Sequence, residues 1–139
     1  MELEKADLCA IGAGQGANGP VLTLRAGMCG ACGQLHFPIT AYGCPRCGAE
    51  PGRVAEQALD GRATLLSFAT IHSRLSPLIT PPCVVGEAEI APGLIEEIML
   101  AGDESQYADG MTVRAVGVEI ARGGTAVLAC RFEPAEAAP

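Results

Sequence analysis

The sequence predicts a mainly β protein in two parts: a small metal ribbon built on cysteines, followed by a five-stranded barrel. Three observations carry this. Four of the seven cysteines form two C-x-x-C pairs, Cys29–Cys32 and Cys44–Cys47, with eleven residues between them. From Leu59 onward the chain is a series of short β-branched and apolar runs separated by Pro and Gly. Hydrophobic residues make up 49% of the 139, enough for a packed core, which excludes general disorder.

Taken in order, residues 1–20 read as a flexible Gly-rich arm. The stretch Ile11-Gly-Ala-Gly-Gln-Gly-Ala-Asn-Gly-Pro20 has the glycines of a phosphate loop. No strand precedes it and no Lys-Ser/Thr follows, so the spacing lacks the context that gives such a loop meaning. Residues 21–55 read as the ribbon, entered by a short strand at Val21–Leu24. Residues 56–134 read as the barrel, with strands at Thr64–His72, Cys83–Ile90, Leu94–Leu100, Met111–Ile120 and Ala126–Phe132. Ser76–Pro82, with three prolines, cannot belong to a central strand. Ala91-Pro-Gly93 is a turn, and Arg122-Gly-Gly-Thr125 carries a hairpin signal. Five short strands, with a longer connection from Ala101 to Gly110 between the third and fourth, suit an OB-fold, whose closure removes sheet edges. The tail from Glu133 is Ala/Pro-rich, and 135–139 are expected to fray.

A C-x-x-C turn sets two sulfurs on one side of a tight loop, and two such turns supply four thiolates to one ion at about 2.3 Å. Gly30, Gly33 and Gly48 fall where knuckle backbones call for positive φ. Cys29, Cys32, Cys44 and Cys47 therefore read as the ligands of one structural Zn²⁺ per chain, with no open coordination position. A tetrahedral S₄ site also accepts iron, the rubredoxin-like alternative, which a metal assay separates. His36 lies between the knuckles as a competing ligand, but four cysteines already fill the site.

Outside the knuckles, Cys83 and His72 are the pair with nucleophile–base character. Cys83 opens an apolar strand and reads as a buried thiol, Cys130 as core or pleat, and Cys9 as exposed in the arm. Glu87/Glu89 and Glu96/Glu97 resemble paired carboxylates and read as surface. No activity is expected of the chain alone. Net charge is −7 and aromatic content 4%, which argues against nucleic acid as a ligand. The alternative reading is nevertheless a zinc-ribbon/OB nucleic-acid-binding module. Residues 25–53 are locally +2 and residues 54–133 locally −6. A positive ribbon suits either an anionic ligand or an acidic partner surface. No apolar run reaches the roughly 20 residues of a membrane helix, and the acidic start lacks a signal peptide's pattern, so the expected location is the cytoplasm, with no membrane contact.

These features together resemble a family of small proteins with a rubredoxin-like zinc ribbon followed by an OB-fold, found with acyl-CoA enzymes and thiolases in particular. The resemblance is carried by Cys29-Gly-Ala-Cys32-Gly33, Leu35-His-Phe-Pro38, Cys44-Pro-Arg-Cys47-Gly48, Leu59–His72, Pro82–Gly86, Asp109–Val113 and Arg131-Phe-Glu-Pro134. Members usually begin with a helical segment that packs on a partner, which the first 20 residues here do not resemble. The resemblance implies a non-catalytic subunit that binds a thiolase-fold catalytic subunit and helps form or cover a coenzyme A or acyl-CoA site. A bulky aryl-substituted acyl group would suit such a subunit. Arg46, Arg53, His72 and Arg74 are the expected coenzyme A contacts, near the ribbon–barrel junction and the Ser76–Pro82 loop.

Overall fold

The computed structural model describes residues 1–74 and 79–135. Ten strands follow in order: β1 (Glu2–Leu3), β2 (Cys9–Gln15), β3 (Pro20–Cys29), β4 (Leu35–His36), β5 (Val54–Leu59), β6 (Arg62–Ile71), β7 (Cys83–Ala91), β8 (Leu94–Leu100), β9 (Thr112–Arg122) and β10 (Thr125–Pro134). Among the described residues, helix is confined to single 3-10 turns at Pro51–Arg53 and Glu104–Gln106.

The last five strands close on themselves. β6 pairs antiparallel with β7, β7 with β8 and β9 with β10. β8 meets β10 in parallel, and β6 returns to β9. The ring β6-β7-β8-β10-β9 is the closed five-strand barrel of an OB-fold, with each strand near its expected bounds. β6 serves two neighbours along its two edges: Arg62–Thr64 pair with β9, and Thr64–Ile71 pair with β7 across a register shift between Leu65 and Ser67. Period-two alternation turns Ala63, Leu65, Val84, Ala88, Ile90, Ile98, Leu100, Val113, Ala115 and Phe132 inward to form the core. Glu87 lies on the opposite, exposed face of β7. The long connection packs Tyr107 into the same core, its ring 6.1 Å from that of Phe68 and its hydroxyl between the carbonyls of Ala101 and Phe132.

β3 joins the barrel to the ribbon. Val21 pairs with Val116 of β9, and beyond it Leu24–Cys29 pair with β5. The ribbon sheet therefore runs to Leu59, past the expected boundary at residue 55, because β5 matches β3 residue for residue.

Residues 1–20 differ from the expected arm. β1 lies parallel to β10 and β2 antiparallel to β3, and Cys9, expected to be exposed, is 2% exposed in the core. The cause is a contact far away in sequence. Glu133, expected at the start of the tail, is 1% exposed and faces the loop between β2 and β3. Its carboxylate accepts from the backbone N–H groups of Ala17 (3.0 Å) and Asn18 (2.9 Å), from the Asn18 amide (2.9 Å) and from Arg114 (3.0 Å). A Cβ on Gly16 would lie 2.6 Å from the Glu133 Oε2, so the loop approaches that closely only as glycine. The Gly-rich stretch is thus an anion cradle filled by the protein's own carboxylate. Burial opposes ionisation of Glu133, but these donors outweigh it and hold its pKa below the usual range. Ala135 is buried and its N–H bonds the Thr112 carbonyl at 3.0 Å, so it is not frayed; 136–139 lie outside the described residues.

Candidate metal centre

Each cysteine pair is set by the same backbone device. The Gly33 N–H bonds the Cys29 carbonyl at 2.9 Å and the Gly48 N–H bonds the Cys44 carbonyl at 3.0 Å, with φ of 74° and 76° at the two glycines. Side chains rarely adopt that conformation, so glycine after the second cysteine lets each knuckle close. Gly30 differs from expectation: it is not left-handed, and its N–H bonds the Arg53 carbonyl at 2.7 Å, tying the first knuckle to the start of β5.

The knuckles bring the Sγ atoms of Cys29, Cys32, Cys44 and Cys47 within 4.8 Å of one another. Two cross-knuckle separations, Cys29–Cys47 and Cys32–Cys44, are 3.7 Å. A regular tetrahedron of sulfurs around zinc, at about 2.3 Å per bond, has edges of about 3.8 Å. The cysteine cage fits a ZnS₄ site with no ligand to add.

The proton balance asks for a cation as well. The Cys32 N–H, 3.5 Å from the Cys29 sulfur, is the largest influence lowering that thiol, to about 6, and the Ala31 N–H adds to it. Cys44 is lowered in the same way, first by the Cys47 N–H. At Cys47 the Ala49 N–H favours the thiolate, but burial and the sulfurs of Cys29, Cys44 and Cys32 outweigh it and push the pKa to about 11. Four thiolates cannot share this volume without positive charge between them. A bound zinc would supply that charge and hold the knuckles together; with every ligand a protein sulfur, its role is structural.

His36 is not a ligand of this cluster. It sits on β4 opposite Gly27, 7% exposed, and neither ring nitrogen has a hydrogen-bond partner. A Cβ on Gly27 would fall 2.5 Å from its Nε2, so the imidazole fills the space that glycine leaves.

The other expected site residues stay apart. Arg46 donates to the Gln34 Oε1 at 2.8 Å on the exposed side of the ribbon, and Arg53 is exposed at the end of its 3-10 turn. His72 and Arg74 are exposed just after β6. No hydrogen bond or ion pair links these four to one another among the described residues. The expected ribbon charge is smaller than counted, because Arg25 pairs with Glu56 across β3 and β5 at 2.7 Å. Of the Ser76–Pro82 loop, 76–78 lie outside the described residues. Cys83, expected to be buried, is half-buried, because it stands at the first position of β7.

Sequence reasoning missed Tyr42. It is 94% exposed between the knuckles, an aromatic ring held out by the cysteine scaffold. Its one signal was a large ring in a segment with almost no core to receive it. Among the described residues no helix is long and apolar enough to cross a membrane.

Residues 20–51 match the ChsH2 rubredoxin-like zinc ribbon domain. No curated protein matches the chain. Among solved structures, a chain of an "Ltp2-ChsH2(DUF35) aldolase" is similar at 24% identity with a TM-score of 0.61, over 82% of this chain and 86% of that one. The chain therefore carries a ChsH2-type zinc ribbon joined to an OB-like barrel.

Proposed function

We propose that this protein is a non-catalytic subunit of a thiolase- or aldolase-type complex, binding the catalytic subunit and helping to form its acyl-CoA site. The observation that carries the proposal is the likeness across ribbon and barrel together to a chain from a complex named for two components and described as an aldolase. Two features of the molecule support it. The cysteine cage has no open position for a substrate, so the metal has no hydrolytic role. Tyr42 offers a partner an exposed aromatic ring, a residue class enriched among interface hot spots.

In this reading the ribbon tip docks, and Arg46 and Arg53 meet the phosphates of a coenzyme A held mainly by the partner. His72 and Arg74, at the end of β6, are the barrel's contribution. Arginine suits this role because its planar fork matches phosphate oxygens.

The test is to purify the chain from its native cells, identify a thiolase-fold protein that co-elutes with it, and reconstitute the pair. Tyr42→Ala is expected to weaken assembly about ten-fold or more, the loss of one interface hot spot. Arg46→Ala with Arg53→Ala is expected to preserve assembly and raise the KM for acyl-CoA. A chain that elutes alone, or with nucleic acid, overturns the proposal.

A further inference from the structure

The barrel closes over a short contact. β9 and β10 pair from Thr125 to Pro134, but β8 and β10 meet at a single bridge, Phe132 opposite Leu100. Beside that bridge the wall opens into a cleft of about 430 Å³, lined by Leu8, Leu24, Phe37, Ile90, Ile98 and Phe132 among others. A second opening of about 520 Å³ shares Met99, Arg122 and Arg131 with it. Arg131 thus stands at the seam, where the two spaces meet.

The state of Arg131 is unusual for an arginine. It is half-buried, and burial lowers its pKa. It donates one N–H to the Cys130 carbonyl at 2.9 Å, and no carboxylate lies within ion-pair distance among the described residues. Glu4, whose charge favours the Arg131 cation, is bound by Arg122, and Glu133, two positions along the same strand, is taken by Arg114, Ala17 and Asn18; Glu96 and Glu97 line the same cleft without forming an ion pair with Arg131. A guanidinium has five N–H donors in a fork that fits a carboxylate, and among the described residues Arg131 finds a protein acceptor only in the Cys130 carbonyl, which leaves its other donors to solvent or a ligand. The apolar volume beside it falls within the usual range for a small-molecule site.

The geometry points to a binding site for an amphiphilic carboxylate, its head on Arg131 and its apolar body in the cleft between the N-terminal segment and the barrel. A monoanion fits better than a phosphate dianion. Glu4, Glu96 and Glu97 also line the cleft, and they would repel a second negative charge. Glu96 is half-buried, and burial raises its pKa. The site uses none of the residues assigned to coenzyme A above and needs no catalytic subunit.

The test is calorimetric titration of the full, zinc-loaded chain with decanoate and with decanol, both below their aggregation limits. One decanoate per chain is expected. Arg131→Met, which keeps length and loses charge, should weaken decanoate about ten-fold or more, the worth of a charge-assisted pair, and leave decanol nearly unchanged. Leu8→Trp, at a half-exposed position on the cleft wall, should weaken both, with a thermal melt confirming that the variant folds. Absence of decanoate binding, equal binding by wild type and Arg131→Met, or full binding by a folded Leu8→Trp protein each overturns the site.

Discussion

Between Leu24 and Leu59 the buried side chains are Leu24, Ala26, Cys29, His36 and Cys44, of which two are proposed metal ligands and one is an imidazole without a hydrogen-bond partner. In the barrel, by contrast, Leu65, Val113, Ala115, Val116 and Ala129 are wholly covered, and Phe132 nearly so. The ribbon has regular pairing, six residues of β3 against β5, but little apolar volume to hold that pairing in water. Its order must come from the sulfur cage, the barrel's from packing. β3 runs through both, and Leu24, Phe37 and Leu59 pack in or against the barrel core, so a change in the metal reaches the barrel through these side chains as well as through Val21 and Leu22.

Breaking the cage should therefore have the largest and most local effect. Metal binding is worth on the order of 10 kcal/mol or more in isolated zinc fingers. Cys44→Ser is expected to lose nearly the whole equivalent of zinc measured by elemental analysis in the wild type. Full occupancy in that variant would refute the ligand set. Cys83→Ser, on the barrel, should keep its zinc.

Phe132→Ala attacks the other side. Phe132 fills the core at the sole β8–β10 bridge, and emptying such a position costs about 3–5 kcal/mol. Chemical denaturation should show that loss while zinc content stays at one. Loss of zinc together with stability would mean that the two regions are not separable in this way.

The Glu133 clamp ranks next. Glu133→Ala removes the acceptor from two backbone N–H groups, Asn18 and Arg114, for an expected loss of about 2–4 kcal/mol. The sign with pH follows from the depressed carboxyl. Its stabilisation is full above the unfolded value of about 4.3 and is lost as pH falls through the lower folded value. A stability profile in acid should be flatter for Glu133→Gln than for the wild type. An identical profile would show that the clamp is not what titrates.

The smallest effect is expected on the ribbon surface. Arg25 and Glu56 form a close pair, but their side chains are 34% and 46% exposed. Arg25→Ala should leave both the denaturation midpoint and zinc binding nearly unchanged, because solvent screens so exposed a pair.

The same contrast explains what the sequence made legible. Cysteine spacing is local, so both knuckles, and the turn glycines Gly33 and Gly48, could be read directly. Alternation and turn chemistry marked the five barrel strands and the Gly123–Gly124 hairpin, because each depends on a few neighbouring residues. The first 20 residues could not be read this way. Gly, Ala and Gln have little strand preference, and the loop at Gly16–Gly19 is ordered by a carboxylate more than a hundred residues away. Glu133 itself looked like tail because its partners are invisible in the local pattern. The ribbon's local charge is smaller than its sequence suggests for the same reason: Glu56 offsets Arg25 only once β5 lies beside β3. Cys9, expected to be exposed in the arm, instead lies in the barrel core, its thiol donating to the Lys5 carbonyl at 3.5 Å.

The most direct test of this division is hydrogen exchange of the full chain, zinc-loaded and after chelation. The expected result is loss of protection across Leu24–Leu59, with β6–β10 nearly unchanged and a graded effect at Val21 and Leu22. Protection retained throughout the chelated ribbon, or lost in ribbon and barrel together, would contradict the account.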